Sequence, residues 1–152
     1  MANTQAMCSS FLGELMTATH NFTTSTGNTF KAALYLASAT VNASTTAYSS
    51  TGEVTGTNYT AGGVSVTNGT SPLSTNTSTT AGTGYWTPSA SITYTNVTLS
   101  TAFDAVLIYN FSASNKAVSV HTFGSQTVTA GTFTLTMPSN TTSTALLRLA
   151  TT

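Results

Sequence analysis

Chemistry in this chain has few side chains to work with. The ionisable residues are three acids (Glu14, Glu53, Asp104), three bases (Lys31, Lys116, Arg148) and two histidines, His20 and His121. Cys8 is the only cysteine, so neither an internal disulfide nor a thiolate metal cluster is available. A Ser-His-Asp triad can be assembled on paper from His121, Asp104 and one of many hydroxyls. Threonine alone is roughly one residue in four, so every histidine has a hydroxyl nearby and that pairing carries little information. No G-x-S-x-G elbow marks a nucleophile. His121 alternates with Val120 and Thr122, which puts it on a face with Ser119 and Phe123, and His20 falls where it can cap helix carbonyls. A glycosidase needs two carboxylates at a set separation. Here the acids stand in three contexts: Glu14 on a helix, Glu53 in a glycine-flanked turn, and Asp104 opening a strand, where accepting a backbone hydrogen bond is the simpler role. EF-hand, P-loop and zinc spacings are absent from the sequence. The expectation is no catalytic residue, no cofactor and no metal.

Composition says what such a chain is for. Charged residues make up 4% of its 152, against roughly 25% in an ordinary soluble domain. The net charge is zero. A hydroxyl-coated surface lacks the repulsion that holds like molecules apart. Three scattered basic residues cannot neutralise a run of phosphates, so no nucleic-acid partner is expected, and an anionic membrane is disfavoured on the same ground. The opening MANTQAMCSS has no basic n-region and no apolar run of signal length, and no stretch approaches a bilayer span. Synthesis and folding in a cytoplasm are therefore expected. The Asn-x-Ser/Thr triplets, such as those at Asn21, Asn42 and Asn58, read as by-products of composition.

Hydrophobic residues, at 39%, suffice for one core, and the length suits a single domain over residues 1–152. Met7, Phe11, Leu15 and Ala18, with Leu12 and Met16 beside them, recur at helical spacing and predict a helix over residues 5–19, capped by Asn3 or Thr4, with Gly13 a weak point. It either packs on the domain's own sheet or docks on a neighbour. Beyond it the pattern is strand: residues 29–37, a weaker candidate at 46–50, and 64–66 between Gly62-Gly63 and Asn68-Gly69. Residues 71–84 have almost nothing apolar and predict a long exposed loop. Strand character resumes over 85–99 with a bulge near Asn96, and 105–110 reads as a central strand buried on both faces. A turn at 112–115 leads into 117–123, Gly124-Ser125 turns the chain again, 132–137 alternates until Pro138, and 145–150 closes the sheet. The result is a mainly β fold, an antiparallel β-sandwich or jelly roll with a short N-terminal helix.

Binding is less easily dismissed than catalysis. Tyr85 and Trp86 follow the polar loop, where aromatics can stack on a sugar or anchor a protein, although Trp86 also suits the role of largest core plug. Threonine pairs such as Thr132, Thr134 and Thr136 hint at an ice-binding face, but the irregular strand lengths do not promise a flat array. The candidate interface is Met7, Phe11, Leu12, Leu15, Met16, Tyr85 and Trp86.

Five blocks, in order, resemble a family of small virion proteins of tailed bacteriophages. They are SSFLGELMTATHNF (9–22), TFKAALYLASAT (29–40), GEVTGTNYTAGGVSV (52–66), FDAVLIYNFSASNKAVSVHTFG (103–124) and TAGTFTLTMP (129–138). Each is weak alone, and their order carries the resemblance. Leu12 departs from it, standing where a lysine is usual. The resemblance implies a capsid cement or decoration protein of β-sandwich or jelly-roll type. Such a protein sits on the outside of the head across junctions of the major capsid protein, in many copies, as a homo-oligomer. The alternative is a tail, neck or fibre module that recognises host surface glycans.

Overall fold

The computed structural model describes residues 2–75 and 82–151. In chain order the elements are β1 (Ala6–Met7), α1 (Ser9–Met16), β2 (Phe30–Leu36), β3 (Val64–Ser65), β4 (Leu73–Ser74), β5 (Thr83–Trp86), β6 (Ile92–Asn110), β7 (Lys116–Leu135) and β8 (Leu147–Ala150). They form two antiparallel sheets, ordered β1-β7-β6-β2-β3 and β4-β5-β8. The fold is mainly β with one short helix near the N-terminus, as the strand patterning predicts.

One hairpin dominates. β6 and β7 run 19 and 20 residues and pair along most of that length. Their turn at 111–115 puts Ser114 and Asn115 at positive φ, 53° and 61°. Strands this long must bend to stay on a compact core. Register shifts between Tyr94 and Ala105 supply the bend, with Asn96 at φ 52°, so the expected bulge is present. The far end of the hairpin then returns over the near end. The Tyr94 hydroxyl donates to the Ala32 carbonyl at 2.8 Å, and Phe133 meets Phe103 edge-on at 5.0 Å. No turn forms at Gly124-Ser125. β7 continues through it, because bulges absorb the curvature without ending the ladder.

β2 pairs with β6 from Phe30–Asn110 to Leu36–Phe103, and both of its faces are covered. On one side Phe22 stacks on Phe30 at 4.3 Å, and Trp86 of the small sheet meets Phe30 at 6.0 Å. On the other, Tyr48 stacks on Tyr109 at 4.8 Å and Tyr35 donates to the Ser49 carbonyl. Burial of both Leu34 and Tyr35, neighbours that point oppositely, follows from this double cover. Gly63 makes the close approach of β3 possible. Its φ is 69°, and a Cβ there would lie 1.7 Å from the Ala32 carbonyl oxygen.

Several expectations need correction. The helix spans only Ser9–Met16, because Ala6 and Met7 pair with Val120 and Ser119 as a strand and Cys8 is extended. Neither Asn3 nor Thr4 caps it. Asn3 instead donates to the Leu36 carbonyl and to Asp104, and accepts from Val41 N–H, tying the N-terminal segment across β2 and β6. Residues 46–50 contribute a single bridge, Ala47 to Lys116, rather than a strand. The ends of the expected loop at 71–84 are paired, Leu73 with Tyr85 and Ser74 with Gly84, while its residues 76–81 lie outside the described residues. β8 joins β5 in the small sheet and does not close the large one.

Candidate contact surface

The six charged side chains are almost all drawn inward. Glu53 is buried, Glu14, Lys31, Asp104 and Lys116 are half-buried, and Arg148 alone is exposed. Each also has a local partner. Lys116 Nζ lies 2.6 Å from Glu14 Oε1, and His20 Nε2 lies 2.7 Å from Glu14 Oε2. The other ring nitrogen of His20 meets the Asn110 amide at 3.1 Å, so this histidine clamps α1 to the β6–β7 turn and does not cap carbonyls. Burial pushes the Glu14 carboxyl up, but hydrogen bonds and charge from Lys116 and His20 outweigh it and hold it below the usual range. Cys8, at the N-cap position of α1, is fully buried. Burial, with the Glu14 charge, raises its thiol to about 11, which makes it unreactive. Lys31 lies 4.4 Å over the Phe111 ring, and Arg148 donates to the Ser143 carbonyl.

Glu53 is the unexpected member. It is 5% exposed and has no cation. Its Oε2 accepts from Tyr48 at 2.6 Å, and its Oε1 accepts from Tyr59 at 2.7 Å and from Gly62 N–H at 2.8 Å. The glycine-flanked turn read from sequence is therefore wrapped around a buried anion. The E-V-x-G-x-x-Y-x-A-G-G spacing was the available signal, since it sets Glu53, Tyr59 and Gly62 on one short loop.

His121 shares a 2.9 Å hydrogen bond with Ser119 on the same strand face, as the alternation predicts. The pair lines a cleft of about 460 Å³ between β1, β7 and β8. Asp104 does not complete a triad; its side-chain partner is Asn3, and it lies within β6, not at its start. Among the described residues, no three histidine, cysteine or acidic side chains converge on a metal position. Burial lowers the His121 imidazole to about 4. The unfolded chain, with a value near 6.5, takes up that proton first, so stability falls as pH drops from 6.5 to 4 and then levels. The loss from this group is at most about 3 kcal/mol, an upper bound because the ring is only half-buried. His121→Gln should flatten the melting temperature across that window; equal slopes in variant and wild type would contradict the assignment.

The seven expected contact residues divide. Phe11, Leu15, Tyr85 and Trp86 come together around one apolar hollow of about 140 Å³, with Phe22 and Leu147. Phe11 and Trp86 are each 2% exposed, and the indole N–H donates to Asn68 and to the Thr70 carbonyl. Both are core, which corrects their reading as contact residues. Met7 stands apart on β1, at the larger cleft. Leu12 and Met16 stand free in solvent, at 47% and 86%.

A further surface was not visible from the pattern of single residues. The outer edge of β7 is covered only at its start. Ala117 N–H bonds to Thr46, Cys8 N–H bonds to the Val118 carbonyl, and β1 covers Ser119 and Val120. From His121 to Leu135, β7 pairs with β6 alone among the described residues. β6 is better protected, its far half being bridged by Thr57 to Thr98. The open stretch of β7, HTFGSQTVTAGTFTL, contains no Lys, Arg, Asp, Glu or Pro, the residues that usually blunt an exposed edge. No helix of the described residues is long and apolar enough to cross a membrane. Comparison with family models, curated proteins and solved structures finds no match to this chain.

Proposed function

We propose that this chain is a structural virion protein of a tailed bacteriophage, a cement or decoration protein laid across junctions of the major capsid protein. The observation that carries the reading is the inward placement of charge: five of the six charged side chains are buried or half-buried, and hydroxyls cover the outside. In a lattice of many copies, any net repulsion recurs at every contact, so a neutral coat favours dense packing. The block resemblance supports the same reading. Three of its blocks, 9–22, 52–66 and 103–124, supply the bonded polar clusters around Glu53 and around Glu14 with the β6–β7 turn. A shell stabiliser requires shape and area, on the order of 800 Å² per partner, and no reactive group. Trp86, packed inside, has little surface left for sugar stacking, which weighs against the glycan-binding alternative.

The test is to locate the protein in purified particles by electron microscopy and to heat particles with and without it. Density spread over the head, with DNA release at a lower temperature when the protein is missing, is expected. Density confined to the tail would move the protein to the alternative, and equal heat resistance would remove the cement role.

A further inference from the structure

We infer that two copies of this chain join edge to edge through β7, making one continuous sheet across a two-fold axis near Thr134. This deepens the lattice reading above by naming the element through which copies meet.

The argument starts from the backbone. In a strand paired on one side only, about half the residues present N–H and C=O groups outward, and these are a template for another strand. β7 offers such an edge over 15 residues, from His121 to Leu135. Bulges disturb its middle, but the ladder is regular where Phe133, Thr134 and Leu135 face Tyr94, Thr93 and Ile92. Thr132, Thr134 and Thr136 are exposed on one face; Phe133, Leu135 and Met137 are half-buried on the other. An antiparallel copy centred on Thr134 sets Thr132 against Thr136, Phe133 against Leu135, and Thr134 against itself. Like then meets like on both faces, and the cores of the two copies lie on the same side of the joined sheet.

The choice of a second copy as occupant rests on charge and symmetry. An uncharged edge brings no like charges together when it pairs with itself, and an isologous contact needs only this one surface. The regular stretch from Phe133 to Leu135 is short, roughly 10 Å at 3.3 Å per residue, so the seam falls below a standard interface. The pair is therefore concentration-dependent in solution and reinforced in an ordered array.

Sedimentation of the pure protein from about 10 µM to about 500 µM should show the mass rising toward twice 15.5 kDa. Thr134→Lys puts two ammonium groups opposite each other and should weaken association at least tenfold. Its melting temperature at low concentration should be unchanged, since Thr134 is exposed. Thr134→Cys should form an intermolecular disulfide under mild oxidation. Facing residues of an antiparallel pair lie about 4.5–5.5 Å apart at Cα, within the range a disulfide spans. Thr95→Cys, exposed on β6, should not cross-link, and Cys8 is too buried to interfere. A wild type that stays monomeric, a dimer indifferent to Thr134→Lys, or equal cross-linking from Thr95 would overturn the inference. Cross-linking of Thr134→Cys only to a capsid subunit on particles would overturn it too, giving the edge to a different strand. Particle binding by monomeric Thr134→Lys separates this pairing from the virion reading, which survives if binding persists.

Discussion

Glu53→Ala should lower the melting temperature by roughly 6–20 °C. The carboxylate is buried without a cation, so its desolvation is offset by three donors alone: Tyr48, Tyr59 and Gly62 N–H. Truncation strands all three in a site with little access to water. An unsatisfied buried group costs about 1–3 kcal/mol, and Tyr48, being half-buried, recovers part of its bond from solvent, so about 3–5 kcal/mol is expected in total. For a chain of this length each kcal/mol moves the midpoint by roughly 2–4 °C. The damage should also be local. Tyr59 accepts from Leu34 N–H as well as donating to Glu53, and Tyr48 stacks on Tyr109, so the loop over that face of the sheet loses its anchor first. Glu53→Gln keeps one acceptor and should lose only about 1–2 kcal/mol. Thermal melts of the three proteins at pH 7 decide it. If Glu53→Ala melts within about 3 °C of wild type, the anion is not what fastens residues 48–62.

How much of this was legible beforehand depends on the range of the interaction. Strand character, the turn at 112–115, the bulge near Asn96 and the Ser119–His121 face all follow from alternation and local φ preference, and all are present. The helix is shorter than its periodic stripe suggests because Met7, where the stripe begins, pairs with β7 together with Ala6. Gly124-Ser125 carries a turn signal because glycine and serine punctuate chains, yet a long strand can bend through bulges. The expected contact stripe mixed two roles for a similar reason: helical spacing marks a face but not which way it looks. Phe11 turned inward onto His20 and Phe22 while Leu12 and Met16 stayed outside. Glu14 with Lys116, and the open edge of β7, are long-range facts. The first joins residues 102 apart, and the second is defined by what fails to pair.

Alkali should unfold the protein abruptly between about pH 10 and 12, with tyrosinate at Tyr35, Tyr48, Tyr59, Tyr94 and Tyr109 appearing only as the fold is lost. Tyr35 and Tyr109 are pushed up to about 12, and Tyr48, Tyr59 and Tyr94 higher still. Burial is the main cause in each, and the Glu53 charge adds to it. The unfolded chain releases these protons near pH 10 while the folded one keeps them. Stability is therefore complete below pH 10 and falls as the pH climbs toward the folded values. Five such protons give a slope of about 7 kcal/mol per pH unit, so a typical total of 5–15 kcal/mol is exhausted within about two units. Absorbance at 295 nm and far-ultraviolet circular dichroism of a Tyr85→Phe variant, which leaves only these five tyrosine rings, should change at one midpoint when followed together through this range. Tyr94→Phe removes one of the five protons and should shallow the transition by about a fifth, besides losing the bond to Ala32. Tyrosinate forming in quantity while the β signal stays intact would mean that water reaches these hydroxyls in the folded protein, and burial would then not be what keeps them protonated.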